Sequence, residues 1–407
     1  MRMLTGFSFC LLLMGCQTTS TISKVEYTVL PNLGLTKLVE RRTELTGPKL
    51  LHERCLNSIG YHPPVITEVQ GPDGTGLDDR YNNVSRYFRA QASRCFAGEN
   101  KACRAGNAYV VDWAKSNGPK NDWSKYNYTT RWNTHVFWND TLTVNMRLTV
   151  PILNFLAISV ENNPLREDDR KLVNKWLKKN VLKFEHMMRD LGNYSFSKHG
   201  FNARLAAHNH AVMSSNAHMA LGSWMGDKNL FHHGLEQWEI TLRSMRDDGS
   251  LPIETRRGSR ALFYLGRTIA GLIQIAERAR VQGIDLYQDS YGGKDIHKTI
   301  QFFLDVVEAP DLIIKYAKKN KSPGSAGRNY KIQDVKHQYD DMYSWIAPYI
   351  YQFPNHKNTK RILGIKHGKL NYLSKVFVQA PDSHGSSTEW LGMDAACFAS
   401  KVSAAAP

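Results

Sequence analysis

Past residue 75 the chain repeats one pattern, apolar residues at helical spacing in segment after segment, with almost no strict alternation. That period belongs to helices buried along one face, and it removes most sheet-based architectures. In 164–192, Pro164 suits a first turn with acidic residues just behind it. Leu172, Val173, Trp176, Leu177 and Phe184 then recur at helical spacing, and Gly192 can end the run. Further helices are predicted near 80–95, 103–116, 204–225, 229–246, 259–282, 294–308 and 333–352. The apolar stretch TLTVNMRLTVPILNFLAISVEN (141–162) contains Asn145, Arg147 and Pro151, which point to a buried, kinked helix and not to a membrane span. Turns such as DDGSLP (247–252) and NNP (162–164) join the segments, and no Gly-rich phosphate loop follows a strand. The expected fold class is all-α, built from stacked helical hairpins.

Composition adds a partner class. With 53 Lys and Arg against 37 Asp and Glu, the formal charge is +16, which favours nucleic acid, a membrane surface or an acidic polymer. The N-terminus narrows these. MRMLTGFSFCLLLMGCQTTST has an early positive charge, a short apolar run and then Leu13-Met14-Gly15-Cys16. A run this short reads as an export signal, and Leu-x-Gly-Cys resembles the bacterial lipoprotein signal, with Cys16 as the lipid anchor. Gln17 after the cysteine would, by that resemblance, favour the outer membrane. The expectation is a periplasmic protein that meets the membrane only through its anchor and has no nucleic-acid partner. The expected layout is a signal peptide over 1–15, a tether and irregular lead-in over 16–75, a helical domain over 76–370 and a C-terminal extension over 371–407. Cys55, Cys95, Cys103 and Cys397 remain, an even count that permits two disulfides in an oxidising compartment, and Cys95 and Cys103 are close enough to close a short loop.

Seven histidines (His186, His199, His208, His210, His218, His232 and His233) fall within 48 residues. His208 and His210 are two apart, which on a helix points them to different sides, and no nearby carboxylate completes a ligand set. There is no CxxC pair or HExxH string. Neither a metal nor any other cofactor is expected.

Two stretches carry the chemistry. One is AHNHAVMSS (207–215); the other is DDGSLPIETRRGSRALFYLGRTIAGLIQIAERARVQGIDLY (247–287), in which Arg256, Arg257 and Arg260 precede Tyr264. Together they resemble the alginate lyases of polysaccharide lyase family five and their wider superfamily. That family carries an Asn-His pair on one helix, then a Gly-x-Leu-Pro-x-Glu turn, an Arg-rich step, and Arg-Ala-Leu-x-Tyr opening a further helix. The matching residues here are Asn209-His210, Gly249 to Glu254, Arg256-Arg257 and Arg260 to Tyr264. YSWIAPYIYQFPN (343–355) looks like the family's closing helix, and the resemblance spans roughly 100 to 355. It implies an incomplete (α/α) toroid and a catalytic set of Tyr264, His210, Asn209 and Arg257. Arg256, Arg260, Arg267 and His208 are the accompanying candidates for substrate binding. The neighbours depart from the family pattern: His208 precedes the Asn-His pair, Ala211-Val212 follow it where the family has aromatics, and Leu265-Gly266 follow the tyrosine where it often has His and Asn.

These residue types suit β-elimination of a 4-linked uronate. The C5 proton is weakly acidic while the adjacent carboxylate stays ionised, so that carboxylate must be neutralised as the enolate-like state develops. Arg257 offers a permanently charged planar fork and Asn209 an amide donor. Tyr264 would transfer the proton, provided cationic neighbours favour phenolate over a phenol of pKa about 10. In mannuronate and glucuronate the C5 proton and C4 oxygen share a face, so one tyrosine can take the proton and return it to the leaving oxygen; for guluronate His210 would act as base. The expected activity is lysis of polymannuronate-rich alginate or another polyuronate. The alternatives are a polyglucuronate lyase, a non-catalytic binder of acidic polysaccharide, and a hydrolase using Asp247, Asp248 or Glu254 as paired carboxylates.

Overall fold

The computed structural model describes residues 26–35, 62–65, 79–118, 148–191, 209–319, 330–331, 333 and 345–364. Among them there is no strand, and the helices follow one another in pairs: α1 (Asp79–Phe96) and α2 (Asn100–Ser116), α3 (Val150–Asn162) and α4 (Glu167–Leu191), α5 (Asn209–Met225) and α6 (Lys228–Ser244), and α7 (Ala261–Val281) and α8 (Ile296–Glu308); each pair packs together except α3 and α4, where α4 lies on α2 and α5. Three shorter helices follow, α9 (Asp311–Ala317), α10 (Ile346–Gln352) and α11 (Lys357–Gly364).

Burial sorts the pairs into two layers. Nearly every residue of α3, α5 and α7 is buried, whereas α2, α6 and α8 each keep an exposed face. A helix that is apolar all round must be enclosed, and one with a single apolar stripe must lie outside. Accordingly α1 packs on α3, α3 on α5 and α5 on α7, forming an inner row, with the second helix of each pair outside it. This is the (α/α) toroid arrangement that the resemblance implies. Two apolar clusters fill it, one around α1 to α4 and one around α5 to α11, and α5 contributes to both through Val212 and Met219 on one side and Leu221 and Trp224 on the other.

The inner row is also tied by polar groups. Arg278 of α7 is 1% exposed, and it donates from Nε to Asn216 of α5 (3.1 Å) and from Nη2 to Asn154 of α3 (2.6 Å). Burial pulls its guanidinium down to about 9. Asn216 in turn donates to Gln274.

Local chemistry explains the joints. Asp227 caps α6, accepting from Asn229 and Leu230 N–H groups at 3.0 and 3.1 Å, and Asp295 caps α8. Gly222 of α5 lies against the backbone of Phe231 and Asp227, which lets α5 and α6 approach closely. Pro151 lies in the first α-helical turn of α3, directly after a π-helical turn at 148 and 149, where its missing N–H has no ladder partner to lose. Asn145 and Arg147 lie outside the described residues, as does Gly192. Cys95 and Cys103 form a disulfide that staples the α1–α2 hairpin; Cys16, Cys55 and Cys397 lie outside the described residues. Residues 26–35 run as non-helical chain over the ends of the inner helices. The Leu30 backbone exchanges two hydrogen bonds with the Gln282 amide, Asn32 N–H donates to Trp224 O, and Tyr27 meets His232. None of the described helices is long and apolar enough to cross a membrane.

Candidate active site

The site is assembled from the start of α5 and the turn-rich segment that enters α7. After α6 the chain reverses at Asp247–Ser250. There Gly249 adopts φ +87°, and a β-carbon would strike the Lys298 carbonyl, so the turn demands glycine. Two short 3₁₀ turns follow, Glu254–Arg256 and Gly258–Arg260, and α7 begins at Ala261. Gln333 pins this entry, donating to the Gly258 carbonyl (2.9 Å) and accepting from Leu262 N–H (3.2 Å).

Asn209 is the first residue of α5 and is fully buried. Its backbone N–H and its side-chain Nδ2 both donate to Glu254 Oε1, at 2.5 and 3.0 Å. Glu254, also fully buried, thus satisfies an orphan donor of the helix start and fixes the Asn209 amide. Among the described residues the Asn209 Oδ1 has no hydrogen-bond partner. Burial pushes the Glu254 carboxyl above its ordinary value, opposed first by the Arg257 charge and then by Asn209 and Thr268. Thr268, whose hydroxyl donates to the Tyr264 carbonyl at 3.0 Å, places Glu254 beside the turn of α7 that bears the tyrosine.

Tyr264 is half-buried, and the Arg257 guanidinium lies over its ring, 3.9 Å from the centroid. Among the described residues Arg257 Nε has no hydrogen-bond partner. Burial pushes the Tyr264 phenol up. The charges of Arg257, Arg267 and Arg260, in that order, and a hydrogen bond from Arg260 outweigh it and leave the phenol below its ordinary 10. Arg267 stacks on Phe263, whose ring meets Tyr264 edge-on at 5.1 Å.

The structure therefore brings Asn209, Arg257 and Tyr264 together through Glu254, with Arg260 and Arg267 acting on the tyrosine itself. His210 follows Asn209 in the first turn of α5 and is half-buried. Arg256 is exposed on the same 3₁₀ turn as Glu254, and His208 lies outside the described residues. Among the described residues no group of three or more His, Cys, Asp or Glu side chains is placed to hold a metal ion. Sequence reasoning nominated Glu254 only as a hydrolase carboxylate; its place in the Gly-x-Leu-Pro-x-Glu turn was the signal for its positioning role. Asp247 is fully exposed. Asp248 is held below the usual carboxylate range: burial raises it, but hydrogen bonds from Ser250 and Tyr316 and the Lys315 charge prevail. Asp248 therefore does not offer the raised carboxyl that a glycosidic acid needs.

The fold is that of the helical (α/α) toroid proteins, and it sets a tyrosine among arginines beside a buried Asn–Glu pair. Within that class the chain belongs to the alginate lyase family, whose sequence profile matches residues 107–313, just over half of its length. It is 24% identical over 192 residues to an alginate lyase of Pseudomonas fluorescens SBW25, a match covering 46% of this chain and 45% of that relative. It is 35% identical over 86 residues to a polysaccharide lyase of Stenotrophomonas maltophilia K279a, covering 21% of this chain and 26% of that one. The chain thus aligns with less than half the length of these curated relatives. In three dimensions it is similar to alginate lyase A1-III of Sphingomonas species A1, solved as a histidine-to-alanine variant complexed with tetrasaccharide. That likeness has a TM-score of 0.62 and 20% identity, over 89% of this chain and 96% of the other.

Proposed function

We propose that the protein is a polysaccharide lyase that cleaves a 4-linked polyuronate, polymannuronate-rich alginate in the first place, by β-elimination. The observation that carries this reading is the Arg257–Tyr264 stack, with its phenol held below 10, beside the Asn209 amide fixed by Glu254. Arg257 and Asn209 neutralise the substrate carboxylate. Tyr264 phenolate removes the C5 proton, the C4–O bond breaks as the C4=C5 double bond forms, and the same proton passes from Tyr264 to the leaving oxygen. No step in this scheme calls for a metal. Arg256, Arg260 and Arg267 supply cationic contacts to the polymer, and His210 is the base for a guluronate unit. The test is a panel of polymannuronate, polyguluronate and polyglucuronate, with unsaturated end groups measured after incubation. Rapid release from polymannuronate supports the proposal; saturated ends would indicate hydrolysis, and no cleavage of any polymer would leave only binding.

We infer also that the protein is exported and anchored through Cys16 on the periplasmic side of the outer membrane. The Cys95–Cys103 disulfide supports an oxidising compartment. Cys16→Ser should move the protein from the membrane fraction to another form, and equal recovery of both versions in the soluble periplasm would contradict the anchor.

A further inference from the structure

The segment that supplies Arg257 also carries Arg246 and Arg256, neither of which takes part in the proton transfers. Arg246, at the end of the α6 hairpin, is locked in place: its Nη1 donates to Ser250 Oγ and Thr255 Oγ1, both at 2.9 Å, and its guanidinium lies 4.0 Å from the Tyr316 ring centroid. Its Nε and Nη2 make no hydrogen bond among the described residues. The Arg256 side chain is exposed and makes no hydrogen bond or ion pair among them; it follows Thr255, whose hydroxyl Arg246 holds, and the two guanidinium charges repel. The charge of the neighbouring Asp248 offsets part of that repulsion, but its oxygens are bonded elsewhere and form no ion pair with either arginine. Asp248 accepts from Ser250 N and Oγ (3.0 and 2.6 Å) and from Tyr316 OH (2.5 Å), with Lys315 Nζ at 3.6 Å. Lys315 also lies 4.7 Å from the Tyr316 ring centroid. Helix α9, which bears Tyr316, packs directly on both 3₁₀ turns of the active site.

We infer that Arg246 and Arg256, backed by Tyr316, form a second carboxylate subsite that holds a uronate unit away from the one being cleaved. Two like charges held together are unfavourable until an anion bridges them, and a guanidinium already fixed by two hydroxyls loses little freedom on pairing. A 4-linked polyuronate presents a carboxylate on every unit, so a chain bound at Arg257 offers further carboxylates along the same basic segment. The inference rests on the proposed polyuronate substrate, but its test does not require turnover.

The experiment is calorimetric binding of saturated oligomannuronates of increasing length to the full chain carrying Tyr264→Phe, with and without Arg256→Gln. The exposed position of Arg256 keeps folding out of the comparison. Arg256→Gln should weaken binding of the longer oligomers about tenfold, the scale of one charged hydrogen-bonding contact, and flatten the gain in affinity with length. Arg256→Lys should restore part of that gain. Arg246→Gln, if its melting temperature matches the parent's, should show the same length-selective loss, and oligomers with carboxyl groups reduced to alcohols should not distinguish any of these proteins. An undiminished length dependence in Arg256→Gln, or an equal loss for reduced oligomers, would overturn the subsite. Failure of the lyase reading would show separately, as absence of unsaturated product from the unaltered protein.

Discussion

At Glu254 a buried carboxylate serves a partner and not a substrate: one oxygen holds both the N–H and the amide of Asn209. Glu254→Ala should therefore lower kcat on the order of 10²-fold, the cost of letting a reacting group drift. Glu254→Gln keeps an acceptor for both Asn209 groups and should recover most of that loss. Equal defects in both variants, or none in either, would remove Glu254 from a positioning role. Arg257 acts on the tyrosine in a different way, through charge across its ring face. Burial alone would raise the phenol; Arg257, Arg267 and Arg260 bring it below 10, so the rate should climb with pH and level off before pH 10. Arg257→Gln leaves burial less opposed, and the ascending limb of kcat/KM should move to higher pH. A limb unmoved in that variant would mean that the titrating group is not Tyr264.

The elements were the most legible feature of the sequence, because the period of apolar residues is a direct image of burial. Helix α7 follows from apolar residues recurring throughout Ala261–Val281, and α4 from Glu167, Asp168 and Asp169 in its first turn. The site was legible as a spacing of residue types and not as contacts. Glu254 was obscured because a carboxylate in a turn has the same local sequence whether it is solvated or enclosed, and it is α7 and α9 packing on the turn, with Asn209 of α5 bonded to the carboxyl, that enclose it. Gln333 was obscured for a similar reason: its partners, Gly258 and Leu262, are distant in the chain. The close approach of α5 and α6 was equally hidden, since Gly222 inside a helix reads as a weak position until Phe231 is placed against it. Gly222→Ala should cost about 1–3 kcal/mol or more through forced separation of the hairpin backbones. Denaturant unfolding measures this directly, and an unchanged midpoint would contradict the contact.

For the whole molecule, the two layers and the charge excess have one consequence. The inner helices bring the start of α5 and the start of α7 to one place, and the turns between α6 and α7 line that place with arginines. On the proposed function, the formal charge of +16 would gather an acidic polymer at long range, and the short-range set of Arg257, Tyr264, Asn209 and Glu254 would make the protein a lyase and not a binder. Binding and turnover should therefore separate. Tyr264→Phe removes one hydroxyl and keeps the ring beneath Arg257, so packing and the basic surface persist. The decisive measurement places the parent protein and Tyr264→Phe side by side on polymannuronate, following unsaturated uronate release together with polymer affinity. The parent should release unsaturated ends, whereas Tyr264→Phe should retain affinity and lose turnover. Release by folded Tyr264→Phe at near the parent rate would contradict the assignment of proton transfer to this tyrosine.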